Sequence, residues 1–252
     1  MNSAVSFMRC FKADFHIHTC ISPCADITMT PSVVAERLVR YGIDWIAITD
    51  HNTTRNVQAF QKALSRNGIK VMPGIEIQTV EDVHILGYFP DVETAESAGR
   101  AVEQRLPPVA IDPERDGYSL LVDETDVFMD MVTLPFGFPT SLNIEEALRL
   151  IGSFGGLPVF AHVFRGLGLF YQMGILPESA KGIPLEVYLL EKRALIPAYC
   201  GTFPTALFSS SDAHTPEALG DARMEICCES RIFSEFLKAV RAEAGRSIRL
   251  CR

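Results

Sequence analysis

The chain has 252 residues, 48% of them hydrophobic, which is enough for one large domain whose core buries most of its apolar surface. Its formal net charge of −8 opposes a long basic groove for nucleic acid, because proteins that follow a phosphate backbone usually carry clustered Lys and Arg. No stretch approaches the roughly 18 consecutive apolar residues of a membrane span, and the first residues lack the pattern of a secretory signal. We therefore expect no membrane association.

The seven cysteines bear on the compartment in which the protein works. They include no CxxC pair, and an odd number in a chain of this length is not typical of a disulfide framework. A reducing compartment fits this pattern, so the sequence predicts a cytoplasmic protein.

Apolar runs alternate with segments of helical period along most of the chain, which is typical of parallel βα units. The predicted strands cover residues 12–19, 44–50, 69–79, 83–89, 157–162, 183–188, 205–211 and 224–229. The predicted helices cover residues 31–41, 54–67, 143–154, 190–200 and 230–244. We expect a single domain over residues 1–252. Eight short strands interleaved with helices favour a closed α/β barrel, and a doubly wound sheet is the alternative that this pattern leaves open.

Two of the helices carry clear terminal signals. Thr30 and Pro31 predict a capping hydroxyl and a proline at the first helical position, and Gly42 ends that helix. Asn143, with Glu146 three residues later, resembles a capping box.

Residues 92–142 form the exception to the alternating pattern. They contain several prolines and many acidic residues, and they show no clean period. The segment is predicted to be either an insertion on the barrel or a lid.

The histidines follow one rule, since each of the six falls at or near the carboxyl end of a predicted strand: residues 16, 18, 51, 84, 162 and 214. Both barrels and open α/β sheets place their chemistry at these ends. His16 and His18 share a face because strand side chains repeat with period two. One imidazole there could be a satisfied core histidine, but two in register indicate a shared partner.

Two acidic residues join this pattern. Glu76 lies between Ile75 and Ile77, and a carboxylate inside an apolar strand is costly unless it is paired or coordinated. Asp212 stands two residues before His214 on another strand. Imidazole and carboxylate ligands suit zinc, iron or manganese. Six histidines with two or three carboxylates are too many for one tetrahedral ion, so we predict two or three ions bridged by Glu76.

Seven short motifs stand in a fixed order along the chain: HIHT (16–19), SPCAD (22–26), TDHN (49–52), PGIE (73–76), VHILGYF (83–89), AHVFR (161–165) and SSDAH (210–214). This set resembles the polymerase and histidinol phosphatase (PHP) superfamily of metal-dependent phosphoesterases. The resemblance implies a distorted (β/α)7 TIM-like barrel with an insertion. It also implies a trinuclear site of zinc, manganese or iron.

The resemblance implies nine metal ligands, grouped around three ions. The three groups are His16, His18, Glu76 and Asp212; Glu76, His84 and His162; and Asp26, His51 and His214. Cys20 and Cys24 lie in the same loop as Asp26 and could offer sulfur instead, while packed thiols are the alternative.

Two further residues are predicted to act on the reaction. Asp50 could orient His51 by accepting its second N–H, or relay a proton, and helix capping is the alternative. Arg165 could clamp a substrate phosphate through its planar guanidinium, and a surface arginine at a helix start is the alternative. Phe164 stands where chains with a similar opening often carry an aspartate, which bears on substrate specificity.

The predicted function is hydrolysis of a small phosphorylated metabolite or nucleotide through a metal-activated water. One alternative is a 5′-3′ exonuclease or oligonucleotide phosphodiesterase, which predicts exposed aromatic residues and a basic rim that residues 92–142 do not supply. Another is a non-catalytic metal-binding barrel, whose sign would be lost ligands. A third is an amidohydrolase, which usually needs a carboxylated lysine where Glu76 stands here.

Overall fold

A computed structural model describes residues 7–201, 206–220 and 224–251, which form eleven strands and eight α-helices. The strands are β1 (Arg9–Ile17), β2 (Trp45–Ile48), β3 (Lys70–Gln78), β4 (His84–Tyr88), β5 (Leu120–Val122), β6 (Phe128–Met131), β7 (Leu157–Phe160), β8 (Leu185–Glu186), β9 (Leu207–Phe208), β10 (Met224–Cys228) and β11 (Ser247–Leu250). The helices are α1 (Pro31–Tyr41), α2 (Val57–Ser65), α3 (Val92–Glu103), α4 (Pro113–Asp116), α5 (Ile144–Ser153), α6 (Leu169–Met173), α7 (Ile196–Cys200) and α8 (Phe233–Val240).

Nine of these strands form one sheet in the order β11-β10-β1-β2-β3-β4-β7-β8-β9. Its two edge strands, β11 and β9, lie beside each other, so the sheet curls into a nearly closed barrel. This confirms the predicted α/β barrel and excludes the open, doubly wound sheet.

The pairing of the strands differs from the predicted run of parallel units. Four neighbouring pairs are parallel, but β3–β4, β4–β7, β1–β10 and β10–β11 are antiparallel. The reason is clear at β3 and β4, because the residues between them are too few for the crossover that parallel neighbours need. The barrel is therefore distorted where several site residues lie.

Close approach of β2 and β3 sets the position of the PGIE motif. A Cβ atom on Gly74 would lie 2.8 Å from Thr49 Cγ2 and 3.0 Å from the carbonyl oxygen of Ile48. Only glycine lets the two strands come this near, and Glu76 follows two residues later on the same strand.

Most predicted helices are present with shorter ends. Residues 54–67 contain α2 at 57–65, residues 230–244 contain α8 at 233–240, and residues 190–200 form a 3-10 turn followed by α7. Of the predicted strand 205–211, only residues 207–208 form a strand, β9. The first predicted residue, 205, lies outside the described ranges. Strand β11 was not predicted.

The signals predicted for the helix ends are confirmed in part. Asn143 and Glu146 form the capping box, with Asn143 Oδ1 accepting the Glu146 N–H at 2.8 Å and Glu146 Oε2 accepting the Asn143 N–H at 3.0 Å. Gly42 ends α1 in the left-handed region at φ 65°, and Pro31 begins it. The predicted capping hydroxyl of Thr30 is wrong, since that side chain makes no cap bond.

Residues 92–142 contain more regular structure than their sequence indicated. Helix α3 packs through Ala95, Ala98 and Val102 against the core, and β5 pairs with β6 in a separate ribbon. The segment is tied to the strand end after β2, because Asn52 Nδ2 donates to the carbonyl oxygens of Phe136 and Phe138 at 2.9 and 3.0 Å. Its role as an insertion or a lid stays a prediction.

One disulfide joins Cys10 on β1 to Cys227 on β10, which are direct partners in the antiparallel register. This bond departs from the expectation drawn from the cysteine count, because strand pairing brings together two cysteines that are far apart in the chain. Among the described residues, no helix is long and apolar enough to cross a membrane.

Candidate metal centre

Glu76 is the centre of the histidine cluster. Its carboxylate lies within 3.2 Å of a nitrogen of five imidazoles although the residue is almost completely buried. Oε1 faces His16, His84 and His162 at 3.2, 2.8 and 3.2 Å. Oε2 faces His18 and His51 at 3.2 and 3.1 Å. This two-sided arrangement is what a bridging carboxylate requires, and it agrees with the role predicted from the sequence.

Asp212 brings a second carboxylate to the same cluster. Its Oδ1 lies 3.3 Å from His16 Nε2, 3.4 Å from His18 Nε2 and 3.5 Å from His214 Nδ1. The His214 ring stacks on His18 with ring centroids 4.0 Å apart. The structure therefore unites all six histidines with Glu76 and Asp212, and we call these eight residues the metal centre.

Hydrogen bonds fix the direction of the two β1 imidazoles. His16 Nδ1 donates to Glu186 Oε2 at 2.9 Å. Ser22 Oγ donates to Asp50 at 2.7 Å, so it must accept the proton of His18 Nδ1 at 3.0 Å. Each ring is thereby held with its Nε2 directed into the cluster.

Those two nitrogens lie 3.2 Å apart. Two lone pairs at this distance repel each other unless a cation or a shared proton lies between them. Buried imidazole atoms that lack a hydrogen-bond partner occur in the same cluster, at His51 Nδ1, His84 Nε2 and His162 Nδ1. Imidazole nitrogens and carboxylate oxygens are ligands that divalent transition metals accept, so the residues of the centre fit such ions.

Within the metal centre, three groups of side chains come close enough to share an ion: His16, His18 and Asp212; His18, His51 and His214; and His51, Glu76 and His84. They overlap the predicted grouping only in part: His18 joins His51 and His214, His51 joins Glu76 and His84, and among the described residues neither His162 nor Asp26 enters a group. The Asp26 carboxylate is exposed and accepts the backbone N–H and the hydroxyl of Thr28 at 2.8 and 2.7 Å. The Asp26 backbone N–H donates to the carbonyl oxygen of His214 at 2.8 Å, so the residue lies beside the metal centre, but its carboxylate is engaged in its own turn. Its role as a metal ligand stays a prediction.

Neither loop cysteine enters these groups among the described residues. Cys20 is buried, with its thiol 3.6 Å from the carbonyl oxygen of Leu120. Cys24 lines the pocket described below.

Electrostatics keep the central carboxylates ionised. Burial would raise the pKa of Glu76, but the surrounding imidazoles outweigh it, His84 and His16 first, and the pKa lies well below the usual range. Burial would likewise raise the pKa of Asp212, but His16 and His18 outweigh it and the pKa is lowered. For His214, burial and the charge of His18 lower the pKa to about 4, so this imidazole is neutral near pH 7.

Asp50 does not hold the His51 ring as predicted. Its carboxylate accepts the N–H and hydroxyl of Thr19 at 2.6 and 2.9 Å and the hydroxyl of Ser22 at 2.7 Å. Strand register places it beside the turn after β1, so its influence passes through Ser22 to the His18 ring. Ser22 also accepts the backbone N–H of His51 at 3.1 Å.

Glu186 is a candidate functional residue that the sequence did not reveal. It is buried on β8, and its Oε2 accepts both the His16 ring proton at 2.9 Å and the backbone N–H of His162 at 3.0 Å. The available signal was the same as for Glu76, a glutamate inside an apolar run, here between Leu185 and Val187. Despite burial, the charge of His16 lowers the pKa of Glu186.

Backbone strain is found at two members of the metal centre. His162 has a φ of 25° and Asp212 a φ of 51°, a region that non-glycine residues seldom adopt. Such conformations cost on the order of 1–3 kcal/mol and persist where the surrounding structure holds them. Both residues follow a strand end, where the strained turn brings the side chain to the cluster.

A cavity of about 310 Å³ opens onto the metal centre. Besides six centre residues it is lined by Cys24, Gln78, Gly137, Arg165, Gly166 and Leu167. Arg165 Nη1 donates to Asp212 Oδ2 at 2.6 Å, and its guanidinium lies 4.4 Å from the ring centroid of Tyr188. The predicted phosphate-binding arginine is thus at the pocket, with 44% of its side chain exposed.

Fold and site together define an α/β barrel with a histidine-rich metal centre at the bottom of one open pocket. Residues 14–133 match the family model described as PHP domain, and residues 198–244 match a model described as PHP-associated. Residues 14–133 therefore carry a PHP domain, as the motifs predicted.

Several characterised proteins are similar to this chain. The 5′-3′ exoribonuclease Rnm of Salmonella typhimurium is 31% identical over 191 residues, which are 59% of this chain and 64% of that protein. A phosphoribosyl 1,2-cyclic phosphate 1,2-diphosphodiesterase of Eggerthella lenta is 33% identical over 79 residues, 29% of each chain. The chain thus spans less than two thirds of the length of these relatives.

Solved structures confirm the fold. The lesion-specific endonuclease PfuEndoQ of Pyrococcus furiosus has a TM-score of 0.71 at 19% identity, covering 95% of this chain and 58% of that one. A two-domain protein of Bacteroides vulgatus that contains a predicted PHP-like metal-dependent phosphoesterase has a TM-score of 0.54 at 15% identity, covering 97% of this chain and 66% of that one.

Proposed function

We propose that the protein is a metal-dependent phosphoesterase that hydrolyses a phosphodiester bond at the end of a short single-stranded oligonucleotide. The observation that carries the proposal is the convergence of five imidazoles on Glu76 at the bottom of a pocket whose mouth holds Arg165. A carboxylate-bridged ion cluster beside a guanidinium is suited to bind and polarise a phosphoryl group.

The choice of substrate draws on the relatives. The similar proteins named above include an exoribonuclease and a cyclic phosphate diphosphodiesterase, both of which act on phosphodiesters. A small phosphorylated metabolite, the substrate predicted first, is therefore too narrow a choice. The oligonucleotide alternative has the better support.

The ions of the metal centre would supply Lewis acidity, holding the phosphoryl oxygens and lowering the pKa of a water near them. We propose two to three ions of zinc, manganese or iron. They would be held by His16, His18, His51, Glu76, His84, His162, Asp212 and His214.

Residues of the chain would do the positioning. Glu186 and Ser22 hold the His16 and His18 rings with Nε2 directed inward. Arg165 uses one of its five N–H donors on Asp212, and the planar group has further donors for the phosphoryl oxygens of a substrate. Catalysis of phosphoryl transfer depends largely on such positioning and charge.

Elemental analysis on protein purified without chelator tests the first half of the proposal. We expect two to three ions per chain in the wild type and fewer in His16→Ala. Nucleotide release from a 5′-phosphorylated single-stranded RNA should accompany the metal and disappear in His16→Ala. One ion or none, after manganese, iron and zinc have each been supplied, would contradict the trinuclear centre.

The same assay separates the alternatives. Release of phosphate from histidinol phosphate or a nucleoside 3′,5′-bisphosphate, with none from RNA, would favour a small substrate. Bound ions without hydrolysis of any phosphoester would favour a non-catalytic metal-binding barrel. Cleavage of an amide would favour an amidohydrolase, although no lysine lines the pocket in the described part of the chain.

A further inference from the structure

The pocket lies between two segments of opposite character. Residues 92–142, which reach it at Gly137, hold ten acidic and three basic residues. Residues 164–200, which reach it at Arg165, hold four basic and three acidic residues, and one of those acids is the buried Glu186. A polyanion that enters the pocket is therefore repelled on one side and attracted on the other.

Aromatic and basic side chains stand together on the second side. Phe164 packs edge-on against Tyr199 with centroids 5.5 Å apart, and Lys192 Nζ lies 3.4 Å from the carbonyl oxygen of Phe164. Arg165 lies over the Tyr188 ring. We call these five residues the aromatic rim.

The rim is built on a fixed support and still reaches the surface. Phe170 is buried and stacks on Tyr199 at 4.5 Å, so the tyrosine cannot turn freely. Tyr199 nevertheless keeps 36% of its surface exposed. A rigid exposed ring next to cations is the arrangement that binds single-stranded nucleic acid, whose bases stack on aromatic side chains while its phosphates meet Lys and Arg.

We propose that the aromatic rim binds the first nucleotides of a single-stranded oligonucleotide, with a base against Tyr199 and phosphates at Arg165 and Lys192. The inference rests on the proposed function and adds to it the path by which the strand reaches the metal centre. It also accounts for Phe164 in the AHVFR motif, because an aspartate at this position would remove a ring from the rim and add a charge that repels phosphate.

A direct binding measurement tests the rim apart from turnover. The probe is a short, fluorophore-labelled, 5′-phosphorylated RNA with phosphorothioate linkages, titrated into the metal-loaded protein and followed by fluorescence anisotropy. Tyr199→Leu keeps apolar packing on Phe170 but lacks a flat ring, and Tyr199→Phe restores the ring. Tyr118→Leu is the matched control, since Tyr118 lies on the acidic segment with a similar exposure of 37%.

We expect Tyr199→Leu to weaken the dissociation constant about tenfold or more, since stacking contributes about 1–3 kcal/mol per base and about 1.4 kcal/mol corresponds to a factor of ten. Tyr199→Phe should bind as the wild type does, and so should Tyr118→Leu. A duplex of the same sequence should bind more weakly than the single strand, because its bases cannot stack on the protein. Melting temperatures close to that of the wild type would show that the variants are folded.

The possible failures are distinguishable. Unchanged RNA binding by Tyr199→Leu, in a wild type that hydrolyses RNA, would overturn the rim and leave the proposed function intact. A wild type that releases phosphate only from small nucleotides would overturn both the rim and the oligonucleotide substrate. A wild-type dimer that dissociates in Tyr199→Leu would assign the rim to protein contact and overturn its role in RNA binding.

Discussion

The metal centre and the aromatic rim lie next to each other and are built in opposite ways. Seven of the eight centre residues are buried or nearly so, and buried partners such as Glu186 and Ser22 fix their ring nitrogens. Rim residues are half-buried or exposed and rest on aromatic packing. In the proposed function this difference separates two tasks: the centre would act on the bond to be broken, and the rim would hold the molecule that carries it.

The largest effect is expected from Glu76→Gln. The substitution removes the only carboxylate that faces five imidazoles in the described structure, so bound metal should fall below the wild-type ratio. We expect kcat to fall about a thousandfold, because metal ions contribute several kcal/mol and each 1.36 kcal/mol is tenfold in rate. Elemental analysis and steady-state hydrolysis of the RNA measure both. Full metal content in the variant would contradict the bridging role.

Glu186→Gln should have the next largest effect. The amide keeps an acceptor for the His16 proton but loses the charge that makes the imidazole a stronger ligand, so metal affinity should fall about 10–100-fold. In Glu186→Leu, which also removes the acceptor, the metal affinity should fall further. Metal titration of the stripped protein gives the affinity.

Glu235→Gln is the matched control for that measurement, since Glu235 is a buried glutamate that pairs with Arg246 away from the metal centre. Its metal affinity should equal that of the wild type. Equal losses in both glutamine variants would mean that Glu186 acts only through general stability.

A smaller effect is expected from Arg165→Lys. Lysine keeps the charge opposite Asp212 but loses the planar fork, so the KM for RNA should rise about tenfold, consistent with one charge-assisted hydrogen bond. Neither kcat nor metal content should change appreciably. A large loss of metal would place Arg165 in the centre and break the division between the two regions.

The smallest effect concerns acid stability far from both regions. Hydrogen bonds from Arg246 lower the pKa of Glu235 from its usual 4.5 to about 2, so this pair stabilises the fold above pH 4.5 and loses that contribution as the pH falls toward 2. Glu235→Gln should lower the Tm by about 2–4 °C at pH 7, the scale of a small stability change in a chain of this size. The difference should shrink near pH 2 in thermal unfolding scans. A difference that grows in acid would contradict the pKa.

The identity of the metal centre followed from local rules. Strand period two put His16 and His18 on one face, and parallel strand ends put the other histidines near them. The pattern also predicted the barrel, α1 and the capping box at Asn143, because each depends on residues close together in the chain. An apolar strand around Glu76 showed that its carboxylate needed partners.

Long-range partners were decided only by the tertiary structure. Glu186 meets His16 across 170 residues, and Asp50 turns toward Ser22 rather than His51 because of how the strands are placed. Sequence similarity marked Asp26 as a ligand, yet its own turn holds it at the surface. Periodicity tells which way a side chain points from its own strand, but strand order and register decide what it meets, and these depend on how the whole chain packs.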